Sequence, residues 1–318
     1  MRHQGDLNTL MNCATVRGSV VISQYTGDVA ALIGIRAIDG NLVVESNFNM
    51  KQLLLPDVQQ ITGELSLRNN TQIKEVDTGR LRSVSRFIAE VNPSLVKVGF
   101  PSGLRYVDYL RVTDSMLKGI DGLNMEQAGE IEFSANRYLT AVKLDHLQSM
   151  NGRLLITDNA PDSSFSARRL GSIAGNVTMT QLATIALPSL TTLGTGLHLH
   201  QGSMRELVMD NLTSLAETLS IYANPELESL SFQSLETIGG ALLITDNPKL
   251  QQVTAFPNLK SVSGSVEVTG GPLQEIQLNN LQDVAGAVKI ITSSKAACRE
   301  GELIGFSKKV VKGKFECK

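Results

Sequence analysis

The sequence predicts an all-β protein, a single right-handed parallel β-solenoid of about 13 coils with a cap at each end. Three observations carry this. The hexapeptide LLITDN occurs twice, at Leu154 and at Leu242, which lie 88 residues apart, four times 22. The same frame recurs from Gly18, Gly40, Gly63, Ser85, Asp108, Gly129, Gly152, Gly175, Thr195, Glu217, Gly240, Gly264 and Gly286, at spacings of 20 to 24. Two and four residues past each start, all 26 positions are apolar, Ala89 being the smallest. Strict alternation is the period of a strand with one buried face, whereas a helix repeats its apolar residues three and four apart. A fixed period near 22 is the mark of a repeat architecture.

The elements follow in chain order. Residues 1–17 precede the first coil, and DLNTLMNC with Asp6 as N-cap is expected to form a short amphipathic helix over it, since the open end of a solenoid needs a cover. Residues 18–297 hold the coils. Each opens with the alternating strand and ends with an apolar pair three apart, such as Val58 and Ile61, Leu81 and Val84, Leu147 and Met150, Leu235 and Ile238, or Leu259 and Val262. Between them lies a third short apolar segment that often closes on proline, at Pro56, Pro188 and Pro257. Three short strands in about 22 residues leave no room for a helix, and proline is tolerated where a strand bends or ends. Like strands of successive coils then stack in parallel, and parallel crossovers are right-handed as a rule.

Seven residues past the start, asparagine recurs as Asn47, Asn70, Asn92, Asn136, Asn159, Asn224 and Asn247. Asparagine tolerates the left-handed backbone of a tight corner, and its amide satisfies peptide groups left unpaired where a strand turns. Stacked at equal spacing these residues should form an asparagine ladder. The stretch after the last coil, CREGELIGFSKKVVKGKFEC, is expected to leave the coil pattern and form a C-terminal cap over 298–318.

Composition narrows the function. Twenty-nine basic and 31 acidic side chains nearly cancel, and no basic cluster of the kind that follows a phosphate backbone is present, so no nucleic-acid partner is expected. No apolar run reaches the roughly 18 residues of a membrane helix, and the opening MRHQGDLNTLMNC has no apolar signal-peptide core. Tryptophan is absent and aromatics are 4%, which suits regularly turning units filled by aliphatic side chains. Cys13, Cys298 and Cys317 form no CxxC pair, so zinc and thioredoxin-type readings lack support, and no cofactor is expected.

The coil pattern G-x-L-x-I-x-x-N followed by L-P-x-L-x-x-V, the segment NRYLTAVKLDHLQSMNGRLLITDN and the ending VVKGKFEC resemble the fungal GPI-anchored cell-wall organisation family, which includes sporulation-specific members. Through that family the coils resemble receptor L domains, the leucine-rich β-helices of insulin-type and epidermal-growth-factor-type receptors. The resemblance implies a secreted, extracellular glycoprotein at the cell surface or in the cell wall, contributing to wall organisation without catalysis. It also implies a signal peptide, an additional upstream cysteine, and a Ser/Thr-rich stalk with a GPI signal. None of these stands in this sequence, which leaves its own anchoring open and leads us to expect either an excised core or a truncated gene model. Within this frame Cys298 and Cys317 are expected to form a disulfide that closes the tail, and Cys13 to be a free thiol whose partner lies upstream in the precursor. Secretion also gives weight to the N-x-S/T sequons at Asn69, Asn176 and Asn211.

The outward face of the first strand is where chemistry would sit. Across coils four to seven it carries Arg86, Glu90, Tyr109, Arg111, Glu130, Glu132 and Arg153, a candidate contact surface. Glu130 and Glu132 are two apart on one strand, about 7 Å by strand rise, a separation that an inverting glycosidase uses. The frame sets Arg153 beside Glu130 and Arg111 beside Glu132. Such cations favour the ionised form, the opposite of what a general acid needs. His198 and His200 share the outward face at a metal-compatible spacing, but Thr178, Thr180, Ser220 and Tyr222 surround them without a carboxylate or cysteine. The leading reading is a non-enzymatic wall or surface module whose partner is wall polysaccharide or mannoprotein. The alternatives are a receptor-like binding module for a peptide or glycan, and a β-helix polysaccharide hydrolase.

Overall fold

The computed structural model describes residues 1–294, 298 and 310–318. It is nearly all-β, a parallel β-solenoid of about 13 coils. All 26 inward positions of the first strands are buried, none more than 2% exposed. The chain divides into two compact units, residues 1–149 with 156–160, and residues 150–155 with 161–318.

The first unit opens with a helix at Gln4–Asn8 whose N-cap is His3, not Asp6. Asp6 sits three residues on, where its Oδ2 accepts from the amides of Arg2 (2.7 Å) and His3 (3.3 Å) while its own amide donates to His3 Nδ1 (3.2 Å). A carboxylate that reaches back to the amides ahead of the helix acts from the third position, because a cap residue can only reach forward. Leu7 is the buried residue of this turn, and Gln4 fastens it by donating to the Ala31 carbonyl at 2.9 Å and accepting from the Ala31 amide at 3.0 Å.

Successive first strands of this unit pair in parallel with like residues opposite: Leu42 with Leu65, Leu65 with Phe87, Leu110 with Ile131. In coils three and four the segments on either side of the start fuse into the long strands Gln60–Arg68 and Ser83–Asn92. A second sheet runs Val29–Ala31, Gln52–Leu54, Glu75–Asp77, Lys97–Leu104 and Asp121–Leu123. It ends irregularly, because the register shifts between Gly99 and Leu104.

The second unit repeats the plan with shorter strands, from Val177–Thr180 through Leu197–His200, Leu219–Tyr222, Leu242–Thr245 and Val266–Thr269 to Val288–Ile291. Its second column buries Ile173, Leu193, Leu215, Ile238, Val262 and Val284, the apolar residue just ahead of each coil start. Phe232 and Phe256, 24 residues apart, stack with ring centres 5.2 Å apart. The coil-start glycines serve close approach more than unusual dihedrals. A Cβ on Gly286 would fall 2.7 Å from the carbonyl carbon of Gly264, so the backbones meet where a side chain would separate them.

The tail differs from the expectation of a segment wholly outside the pattern. Gly313 lies over Gly286, and Phe315–Cys317 pairs with the last coil, Val288 opposite Phe315 and Ile290 opposite Cys317. GKFEC therefore re-enters the frame as a further strand. It escaped the rhythm because 27 residues separate Gly313 from Gly286, outside the interval of 20 to 24. Residues 299–309 of the expected cap lie outside the described residues.

At the corners the left-handed residue is not the asparagine. The residue six past the start, one before it, holds φ between 50° and 59° in each of the first eleven coils. The asparagines contribute through hydrogen bonds and not through backbone tolerance: the corner needs one left-handed residue, and the next must aim its amide inward.

Candidate contact surface and cleft

The asparagine ladder is continuous where its members are adjacent in successive coils. Asn47 Nδ2 donates to Asn70 Oδ1 at 2.9 Å and to the Ile22 carbonyl at 3.0 Å. Asn70 Nδ2 donates to Asn92 Oδ1 at 3.1 Å and to the Val44 carbonyl at 2.9 Å. Asn92 closes this run on the Leu67 carbonyl at 2.8 Å. The same geometry joins Asn136 to Asn159 at 3.0 Å and, in the second unit, Asn224 to Asn247 at 3.2 Å. Coil five places Ser115 in the column, and its hydroxyl donates to Asn136 Oδ1 at 2.6 Å. All seven asparagines are buried, so they present nothing to a ligand.

The outward face of the first unit is an ion-pair lattice. Arg111 reaches Glu90 (3.1 Å) and Glu132 (3.4 Å, through Nε without hydrogen-bond geometry). Arg86 sits 3.6 Å from Glu64 and lies over the Tyr109 ring at 4.4 Å. Arg68 bridges Glu64 and Glu90 at 3.1 Å each. Burial opposes the charge of Arg111, yet the Glu132 and Glu90 carboxylates outweigh it and hold its pKa above the usual range. Glu64 and Arg68 were not among the sequence candidates. They occupy the first and fifth positions of coil three, one coil ahead of the stretch chosen, and the same frame identifies them.

Glu132 is 5% exposed and accepts from Ser134 Oγ at 2.9 Å. Glu130 stands opposite Tyr109, and Glu132 opposite Arg111, on one face of one sheet. Two carboxylates side by side on a strand do not flank a glycosidic bond from opposite sides. Arg153 is exposed in the second unit. His198 and His200, half-buried there, stand opposite Ser220 and Tyr222. Among the described residues no group of three or more His, Cys, Asp or Glu is arranged to hold a metal ion.

The sequons differ in availability. Asn69 is exposed at the left-handed corner position with φ 53°. Asn176 is half-buried and its Nδ2 donates to Thr178 Oγ1, the hydroxyl of its own sequon, at 3.1 Å. Asn211 Nδ2 donates to the Pro188 carbonyl at 2.7 Å. Cys298 and Cys317 are disulfide-bonded with Cα atoms 5.8 Å apart, and Cys13 is a free, exposed thiol.

A cleft of about 560 Å³ opens elsewhere in the first unit, lined by Arg105, Tyr106, Asn124, Glu126, Gln127 and His146. Asn124 and His146 also line an adjoining hollow of about 300 Å³. Strand alternation does not reveal this site, because all its residues but Gln127, which stands in the two-residue strand Gln127–Ala128, come from connecting segments.

The whole chain aligns with known proteins. A cell surface GPI-anchored protein of Arthroderma benhamiae is 26% identical over 318 residues, covering 100% of this chain and 81% of the relative. This chain is a relative of fungal cell-surface and sporulation-specific proteins. Sporulation-specific protein 22 of Saccharomyces cerevisiae is 25% identical over 98% of this chain and 68% of its own length. Protein ecm33 of Aspergillus fumigatus is 23% identical over 99% of this chain and 78% of its own length. These fungal relatives are named for the cell surface, the wall or sporulation, and none of the three carries the name of an enzyme. No family model matches the chain. No solved structure matches it either. Among the described residues no helix is long and apolar enough to cross a membrane.

Proposed function

We propose that this chain is a non-enzymatic protein of the fungal cell surface or wall, acting through its surfaces on wall organisation. The alignment of the chain from end to end with a relative named as a GPI-anchored cell-surface protein carries the reading. The ion-pair lattice supports it. Glu132, one of the two carboxylates of the glycosidase hypothesis, is ion-paired with Arg111 on the same sheet face as Glu130, whereas a polysaccharide hydrolase needs opposed carboxylates across a bound chain. The partner is wall polysaccharide or mannoprotein. Of the three sequons Asn69 is the best acceptor, because Asn176 and Asn211 already donate their amide hydrogens within the fold.

Co-sedimentation of the purified protein with isolated fungal walls tests the reading, run beside a reducing-sugar assay on the same walls. Retention on walls without sugar release is the expected result. Release of reducing sugar that Glu130→Gln abolishes would establish a hydrolase, and failure to sediment with walls would remove the structural reading. Deglycosylation of protein secreted from yeast should shift its mass, and Asn69→Gln should remove most of the shift.

A further inference from the structure

The Arg105 to His146 cleft is set apart by what its side chains do not do. On the outward face of the first unit Glu64, Arg68, Arg86, Glu90, Arg111 and Glu132 are tied into one another. Among the described residues the six side chains of the cleft make no hydrogen bond or ion pair within the protein, and all six are exposed, Tyr106 to 53%. Arg105, Glu126, Asn124, Gln127 and His146 thus share the cleft with an exposed phenol and bring to it donors and acceptors that no partner among the described residues takes up.

The backbone beneath is fixed. Tyr106 donates its amide to the Arg82 carbonyl (3.2 Å) and accepts from the Val84 amide (3.1 Å), so the ring stands on connecting backbone pinned to the neighbouring coil. The Asn124 amide donates to the Leu104 carbonyl at 2.9 Å, and its side chain packs on Gly103, where a Cβ would fall 2.7 Å from Nδ2. The concavity comes from the same place. Pro101, Ser102 and Gly103 fall within the register shift between Gly99 and Leu104. Gly122, at φ 81°, accommodates it by bringing its Cα against the Phe100 carbonyl, where a Cβ would lie 2.0 Å from the oxygen. The second sheet stops at Asp121–Leu123, and Ala141–Lys143 belongs to a different sheet. The hollow follows this break.

We propose that this cleft is a saccharide-binding site that takes a neutral oligosaccharide, with a pyranose face on the Tyr106 ring and its hydroxyls on Asn124, Gln127, Arg105 and Glu126. An aromatic ring supplies an apolar platform with a polar rim, and amides, carboxylate and guanidinium supply the mixed donors and acceptors that sugar hydroxyls demand. Charge selects the class. The cleft and its adjoining hollow bring Arg105 and Lys143 against Asp121, Glu126 and Asp145, a balance that gives an anionic polymer no net attraction. At about 560 Å³ the cleft falls within the 300 to 1,000 Å³ of small-ligand sites, and the adjoining hollow extends it along a chain. The proposal rests on the wall reading for its source of ligand and not for its geometry.

Calorimetric titration with a linear β-1,3-glucan oligomer, an N-acetylglucosamine oligomer and an α-mannose oligomer tests it. At least one should bind the wild type, and Tyr106→Ala and Gln127→Ala should each weaken that binding tenfold or more. Both are exposed positions, and unchanged melting temperatures will show that they fold. Tyr222→Ala, an exposed tyrosine of the second unit, should leave binding unchanged. Absence of binding by all three oligomers, or equal affinity in Tyr106→Ala, overturns the site. If Tyr106→Ala binds no oligomer less well yet the wild type still sediments with walls, the cleft is refuted while the wall reading stands.

Discussion

Replacing Asn70 by alanine isolates what the ladder contributes. Its side chain makes four hydrogen bonds: Nδ2 to the Val44 carbonyl and to Asn92 Oδ1, and Oδ1 from the Asn47 amide at 3.3 Å and from Asn47 Nδ2 at 2.9 Å. Two of the partners keep a second bond, since Asn47 Nδ2 still reaches the Ile22 carbonyl and Asn92 Oδ1 still accepts from the residue 70 amide. The Asn47 amide and the Val44 carbonyl lose their side-chain partner, and both residues are 0% exposed. Each buried group left so costs about 1 to 3 kcal/mol, giving about 2 to 6 kcal/mol for the substitution. Asn69→Ala next door is the control. It touches no ladder bond and forfeits only asparagine's tolerance of φ 53°, about 1 kcal/mol. Urea denaturation of unglycosylated protein, followed by far-ultraviolet circular dichroism, compares them. If Asn70→Ala unfolds at the same urea concentration as Asn69→Ala, the ladder is not a stabilising structure. Asn70→Asp adds a sign. Oxygen then faces the Val44 carbonyl and Asn92 Oδ1, burial raises the folded pKa, and stability should be highest below about pH 4 and fall as pH rises.

Val91 holds φ 53° at a 46% exposed corner, so Val91→Asn should raise the unfolding free energy by about 1 kcal/mol, and an unchanged or lowered midpoint counts against strain there. Removing the disulfide with Cys298→Ser and Cys317→Ser, 19 residues apart, should cost about 3 kcal/mol, and an unaltered melting temperature under non-reducing conditions counts against it. Hydrogen bonds from Lys318 and then Lys314 hold the Glu316 carboxyl at about 2. A depressed carboxylate contributes above its unfolded value of about 4.5 and loses that contribution as pH falls toward 2. A carboxyl titration by nuclear magnetic resonance should show a midpoint near 2 that Lys318→Ala raises, whereas an unshifted midpoint refutes the pairing.

The inward core was legible because strand alternation and a period near 22 are local properties. Leu42, Leu65 and Phe87 need only the next coil to cover them, and each carries its place in its own few residues. The asparagine column was legible for the same reason, as was the disulfide through the resemblance of the tail. The left-handed corner was misplaced by one residue. Sequence marks the asparagine, a single residue type, while the corner itself is taken by Gln24, Ser46, Val91, Ala135 and others with no common chemistry. Glu64 and Arg68 obey the same outward alternation, one coil ahead of the candidate surface. The re-entry of GKFEC lay outside the repeat interval.

By itself the sequence determined the coil and its repetition, since each buried face is written in alternating residues that a neighbouring copy must cover. Only the tertiary structure decided which polar side chains are consumed and which are free. Arg111 and Arg105 are alike in sequence, yet one is held between Glu90 and Glu132 and the other faces a cleft. That difference depends on the register shift between Gly99 and Leu104 and on the sheet's end at Asp121–Leu123. Both are set by how coils of slightly unequal length stack, and a period read along the chain averages such differences away.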